Sequence, residues 1–102
     1  MTDAVDFLLH APPSITVRTI AGFVETLRRA CAEHPALTLD IGMVTDADLS
    51  FIQAVQAARA YLPGGVKLAC PAGGAIAALL IRAGFAHDPA DLDFWFHGEL
   101  PQ

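Results

Sequence analysis

The sequence predicts an α/β domain, a four- to five-stranded mixed sheet with about three helices packed on it. Three observations carry this expectation. Short segments at 37–41 and 66–70 alternate apolar and polar residues with the period of two that a strand needs to show one face to a core. Between and after them, apolar residues recur at helical spacing. Each helical stretch then stops at proline or glycine, residues that cannot continue a helix or that accept its left-handed end. Strand-helix-strand-helix order calls for parallel pairing through right-handed crossovers.

The opening is short and apolar at 5–10 (Val5, Phe7, Leu8, Leu9), and Ala11-Pro12-Pro13 ends it as an extended turn. Ser14-Ile15-Thr16-Val17 reads as a second strand, so that the chain begins in a hairpin-like pair. Thr19 is placed to cap a first helix whose apolar residues Ile20, Phe23, Val24, Leu27 and Cys31 fall at offsets 0, 3, 4, 7 and 11. Pro35 closes it. Leu37-Thr38-Leu39-Asp40-Ile41 is the central strand. After Gly42 the pattern gives way to Thr45-Asp46-Ala47-Asp48, where Asp48 stands as the N-cap of a second helix. That helix carries Phe51, Val55, Ala58 and Leu62 at offsets 0, 4, 7 and 11, with Gln53, Gln56 and Arg59 largely off the stripe, and Pro63-Gly64-Gly65 stops it.

Val66-Lys67-Leu68-Ala69-Cys70 alternates as a strand, and Pro71-Ala72-Gly73-Gly74 leads to a third helix with Ile76, Leu79, Leu80 and Ala83 on one face. Gly84 sits where a C-terminal glycine cap belongs, with Phe85 as its hydrophobic contact. In the remainder, Asp88-Pro89-Ala90-Asp91 reads as loop and Leu92-Asp93-Phe94-Trp95-Phe96 as a short edge strand, because aromatic residues favour strands.

A chain of 102 residues makes a single domain, 1–102. Its hydrophobic content of 54% exceeds the usual ~45–50% through alanine spread along helices. No run approaches the ~18 apolar residues of a membrane span, so no direct membrane insertion is expected. A net charge of −5 with six Lys and Arg argues against a nucleic-acid surface and against anionic lipid, since phosphate contacts need clustered cations. The acidic N-terminus has no basic region or cleavage site of a signal peptide, which makes the expected compartment cytoplasmic. Cys31 and Cys70 lack CxxC spacing and read as small buried hydrophobes.

With these elements laid out, the chain resembles the STAS family, the domain of anti-sigma factor antagonists and of sulfate-transporter tails. The resemblance rests on Leu39-Asp40-Ile41-Gly42-Met43-Val44, then Asp48-Leu49-Ser50-Phe51-Ile52 with Asp48 eight residues after Asp40. It continues through Pro63-Gly64-Gly65, Val66-Lys67-Leu68-Ala69, Cys70-Pro71-Ala72 and Ala83-Gly84-Phe85, with Ser14-Ile15-Thr16-Val17-Arg18-Thr19 upstream. It covers 14–85 and leaves 86–102 as a C-terminal extension. What it implies is a STAS-like fold and a non-enzymatic protein-interaction domain of a bacterial signalling pathway, anti-sigma factor antagonist-like or a chemotaxis-operon protein. The partner, a kinase, an anti-sigma factor or a chemotaxis component, would bind the turn and helix at 45–53, through Thr45, Asp46, Asp48, Leu49, Ser50 and Gln53. The alternatives are a STAS subunit of a lipid-transport ABC complex and a small nucleotide-binding domain.

Two positions depart from the family pattern. Its phosphoacceptor serine follows the turn aspartate, and here that position is Leu49, with Ser50 next to it as a displaced candidate for phosphorylation. The family glycine is replaced by Phe51, which on its helical stripe belongs to the core.

Other chemistry has little to stand on. Asp40, Asp46 and Asp48 could hold a hard cation, but an N-cap and a solvated acidic turn explain them. His10, His34, His87 and His97 lack metal-ligand spacing, and no metal or cofactor is expected. Whether His87 and His97 converge with Asp88, Asp91 and Asp93 is a question of folding. Pro71-Ala72-Gly73-Gly74 could offer N–H groups to a phosphate, yet no P-loop lysine or GxGxxG accompanies it. Ser14 and Ser50 have no motif-linked base. A homodimer through the sheet edge stays open.

Overall fold

The structure, a computed structural model, describes residues 7–98. Val5 and residues 99–102, parts of the expected first strand and C-terminal extension, lie outside them. The centre is β3 (Leu37–Asp40), flanked in parallel by β1 (Phe7–His10) and β5 (Val66–Leu68) in the order β1-β3-β5. Its register sets Phe7 beside Leu37 and Leu37 beside Val66. A second pair, β2 (Ser14–Ile15) and β4 (Asp46–Ala47), is also parallel, with Ser14 opposite Asp46.

The expected four- to five-stranded mixed sheet therefore does not form: the described strands make one sheet of three and one of two, all parallel. The hairpin-like opening fails for a local reason. A tight hairpin turn needs positive φ, whereas Pro12 and Pro13 fix φ near −65° and have no N–H to give a ladder. The chain runs on in one direction instead. Ala11 N–H donates to Asp40 O (2.9 Å) and Thr45 N–H to Pro13 O (2.8 Å), so that the two parallel pairs follow one another along the same two chain segments.

The first helix, α1 (Ile20–Glu33), buries Phe23, Leu27 and Ala30, with Ile20 and Cys31 packed at the margin. Thr19 stands at its N-cap position, but its side chain accepts no bond from the helix. Its Oγ1 accepts from Thr16 N–H (3.0 Å) and donates to Ser14 O (3.1 Å), bracing the preceding turn. The second, α2 (Leu49–Tyr61), buries Phe51, Ile52, Val55 and Ala58 and is capped by Asp48 as expected. At its far end, Gly64 N–H donates to Pro35 O (2.8 Å), and a Cβ there would lie 2.7 Å from that oxygen, so only glycine fits. The third, α3 (Gly74–Arg82), ends at Gly84 with φ +89°, and Phe85 N–H bonds back to Leu80 O (2.9 Å), as the glycine cap requires.

The expected terminal strand is a helix, α4 (Pro89–Phe96). Asp88 accepts from Ala90 N–H (3.1 Å) and Pro89 occupies the first helical position, a start signal that outweighs the aromatic preference for strands. As a helix the segment buries Trp95 and Phe96 together, which a strand with alternating faces could not do on one core. Trp95 meets Phe51 (ring centroids 6.1 Å apart), and Phe51 meets Phe23 (5.9 Å), linking three helices through aromatic contacts. The cysteines differ from expectation as well: Cys31 is half-buried and Cys70 exposed, because the chain has left the sheet after Leu68.

The sheet has one covered face. Leu9, Leu37, Leu39, Val66 and Leu68 point into the core and are buried. On the other face Leu8 lies beside Thr38 and Thr38 beside Lys67, and all of these, with His10 and Asp40, are exposed or half-buried. Among the described residues no helix is long and apolar enough to cross a membrane.

Candidate functional site

The turn at 45–48 is built by the β2–β4 pairing. Thr45 and Asp46 both donate their N–H groups to Pro13 O (2.8 and 3.2 Å), and Asp48 N–H donates to Ile15 O (3.2 Å). Side chains repeat the bracing. Thr45 Oγ1 donates to Pro13 O (3.4 Å) and Ser14 Oγ donates to Asp46 Oδ2 (3.2 Å).

Asp48 is the busiest group. Its Oδ1 accepts from Ser50 N–H (3.0 Å) and from the Ser50 hydroxyl (2.5 Å), while Oδ2 accepts from Val17 N–H (2.9 Å). The Ser50 hydroxyl bond, followed by the Val17 N–H, holds its carboxyl below the ordinary aspartate range. One carboxylate thus starts α2 and fastens the loop between β2 and α1 to it. Ser50, half-buried, spends its hydroxyl on this cap, and a phosphate there would stand against the Asp48 carboxylate.

What the turn presents outward is a mixture. Leu49 is 47% exposed at the start of α2, and Val17, tethered to Asp48 through its backbone, is 72% exposed. Thr45, Asp46 and Gln53 are exposed too. Of the six residues expected to bind a partner, Thr45, Asp46, Leu49 and Gln53 face solvent, while Asp48 and Ser50 are half-buried and engaged with each other. Val17 was not among the expected contacts. Its place in a Ser-Ile-Thr-Val alternation reads as strand, and only the Asp48 bond ties it to the start of α2.

The remaining candidates do not assemble. Asp40 Oδ1 accepts from Gly42 N–H (2.9 Å) and its Oδ2 lies 2.9 Å from His10 Nδ1; the Gly42 N–H leads in holding this carboxyl low. Asp40, Asp46 and Asp48 are therefore held by separate donors, and no group of three His, Cys, Asp or Glu among the described residues is placed to hold a metal. His34 stacks on Phe7 (4.2 Å between centroids), while His97 Nε2 lies 3.2 Å from Leu68 O. Asp88 caps α4, and Asp91 faces Arg59 (3.4 Å), whose guanidinium also lies over Phe94 at 4.1 Å. The Pro71–Gly74 segment is tied down by Ala72 N–H donating to Trp95 O (2.7 Å).

A scan against protein-family models and searches of curated proteins and of solved structures return no match to this chain.

Proposed function

We propose that the chain is a non-enzymatic, STAS-like interaction domain of a bacterial signalling pathway that docks a kinase, anti-sigma factor or chemotaxis protein on the turn and helix start at 45–53. The reading draws on the ordered motifs at 14–85 and not on the sheet, which is not the mixed sheet expected of the chain. The observation that carries it is that exposed Leu49, exposed Val17 and exposed Asp46 stand on backbone that Asp48 ties together, accepting from Val17 N–H on one side and Ser50 N–H on the other. Apolar anchors on a preorganised turn lose little entropy on binding, and a neighbouring carboxylate supplies register and charge complementarity.

The test is affinity capture of the partner by the tagged chain, with Leu49→Glu and Asp46→Lys compared against the parent. A kinase, anti-sigma factor or chemotaxis protein retained by the parent and lost at least tenfold in Leu49→Glu supports the reading. Unchanged retention by both variants overturns it, and co-purification with a transporter ATPase replaces it with a transport subunit.

A further inference from the structure

An open groove of about 540 Å³ runs between α1 and α2. It exists because α2 turns Ala54, Ala57 and Ala58 towards α1, and methyl side chains cannot fill the space between two helix backbones. Val24 and Leu27 continue the apolar lining from α1, so the volume and character match those of small-ligand sites.

The charge in the groove has one sign. Among the described residues Arg28 is the only ionised side chain lining it, in a chain whose net charge is −5. Its neighbour Arg29 pairs with Glu25 (3.6 Å), whereas Arg28 is exposed and makes no ion pair or hydrogen bond with any described residue. Tyr61, 70% exposed, adds a phenol to the rim. The cleft between β5 and α4, by contrast, mixes charges of both signs, Arg59, Lys67 and Asp93, and its Arg59 is paired with Asp91.

We propose that the α1/α2 groove binds a long-chain fatty acid, its alkyl chain lying along Val24, Leu27, Ala54 and Ala58 and its carboxylate meeting the Arg28 guanidinium. An apolar trough lined along one side by a guanidinium that no described residue pairs favours that amphiphile over a neutral or cationic one. The proposal is independent of the turn at 45–53.

Dodecanoate, below its micelle-forming concentration, is the probe, with decanoate, dodecanol and dodecyltrimethylammonium beside it. Two readouts apply: the melting temperature of the full chain, and protection of half-buried Cys31, which lines the groove, from maleimide in a Cys70→Ser background. Dodecanoate is expected to raise the melting temperature and to slow Cys31 labelling. Each methylene buried should add about fourfold in affinity, which separates dodecanoate from decanoate. Arg28→Gln should weaken dodecanoate at least fivefold while leaving dodecanol unchanged, and Ala57→Phe, which fills the groove from an exposed position, should abolish protection by both. Equal binding of dodecanoate by Arg28→Gln and the parent, or by Ala57→Phe and the parent, overturns the proposal. So does binding only above the micelle threshold, or a dimer that Ala57→Phe dissociates, which would give the groove to a second copy of the chain.

Discussion

Asp48 and Asp88 open helices in the same way, each accepting the N–H of the residue two positions on, at 3.0 and 3.1 Å. They differ in what else they hold. Asp48 also accepts the Ser50 hydroxyl and the Val17 N–H from another part of the chain, so it works as a cap and as a fastener. Asp88 caps α4, and among the described residues nothing more is bonded to its side chain; that helix is also secured by Trp95 in the core and by Arg59, which meets both Asp91 and Phe94. Both helices are capped and both bury a face, but only α2 has a cap that also ties in a distant part of the chain.

The comparison can be broken most forcefully at Trp95. Trp95→Ala should cost about 3–5 kcal/mol, as for other buried aromatics cut to alanine, and denaturant unfolding measures it. Trp95→Phe should cost under about 1.5 kcal/mol, because the indole N–H is buried with no acceptor among the described residues, and its removal offsets the lost volume. An equal cost for both variants would show the indole to be satisfied.

Asp48→Ala comes next. It removes the cap and the Val17 tether together, so the melting temperature should fall by more than in Asp88→Ala, where losing a cap alone costs about 1 kcal/mol, a drop of roughly 4–8 °C. Hydrogen exchange at the Val17 amide should rise sharply in Asp48→Ala and stay unchanged in Asp88→Ala. Equal melting temperatures would remove the distinction between fastener and cap.

Acid supplies a milder version of the same cut. The Asp48 carboxyl titrates below the ordinary value of about 3.9 in the folded chain, so above that value the folded and unfolded forms are both ionised and the stabilisation is complete. As pH falls the unfolded chain takes up the proton first, and the contribution disappears as pH passes through the folded value. Stability should therefore be flat with respect to this group at neutral pH and decline below about pH 4, with a shallower decline in Asp48→Ala, read from melting curves across that range. The smallest effect belongs to Ser50→Ala, which removes one of three bonds to Asp48 and keeps the capping N–H. A loss of about 0.5–1 kcal/mol is expected, with Val17 exchange nearly unchanged.

The helices were legible where a stripe and a stop coincided. In α2 the stripe of Phe51, Val55, Ala58 and Leu62, the Asp48 cap and the glycine stop all agreed, and all are found. The sheet was not legible, because strand pairing is a long-range choice that alternation does not encode: Ser14-Ile15-Thr16-Val17 has the right pattern for a strand, yet only two of its residues pair. For α4 the signal was present in Asp88-Pro89 and lost to the weight given to three consecutive aromatic residues. At the turn, Asp48 could be assigned its cap from position alone. Its hold on the Val17 backbone needed the fold.

The absence of a hairpin also bears on how the chain reaches this state. Phe7 pairs with Leu37, Leu37 with Val66, and Ser14 with Asp46, so every rung of both ladders joins residues about thirty apart. No two of the described strands can zip together locally. During synthesis β1 leaves the ribosome with no partner until α1 and β3 have followed, and each pairing must close a long loop before it yields a bond. Contacts within a helix carry no such loop cost, so the helices are expected to form ahead of the sheet, an order that pulsed hydrogen exchange during refolding would check.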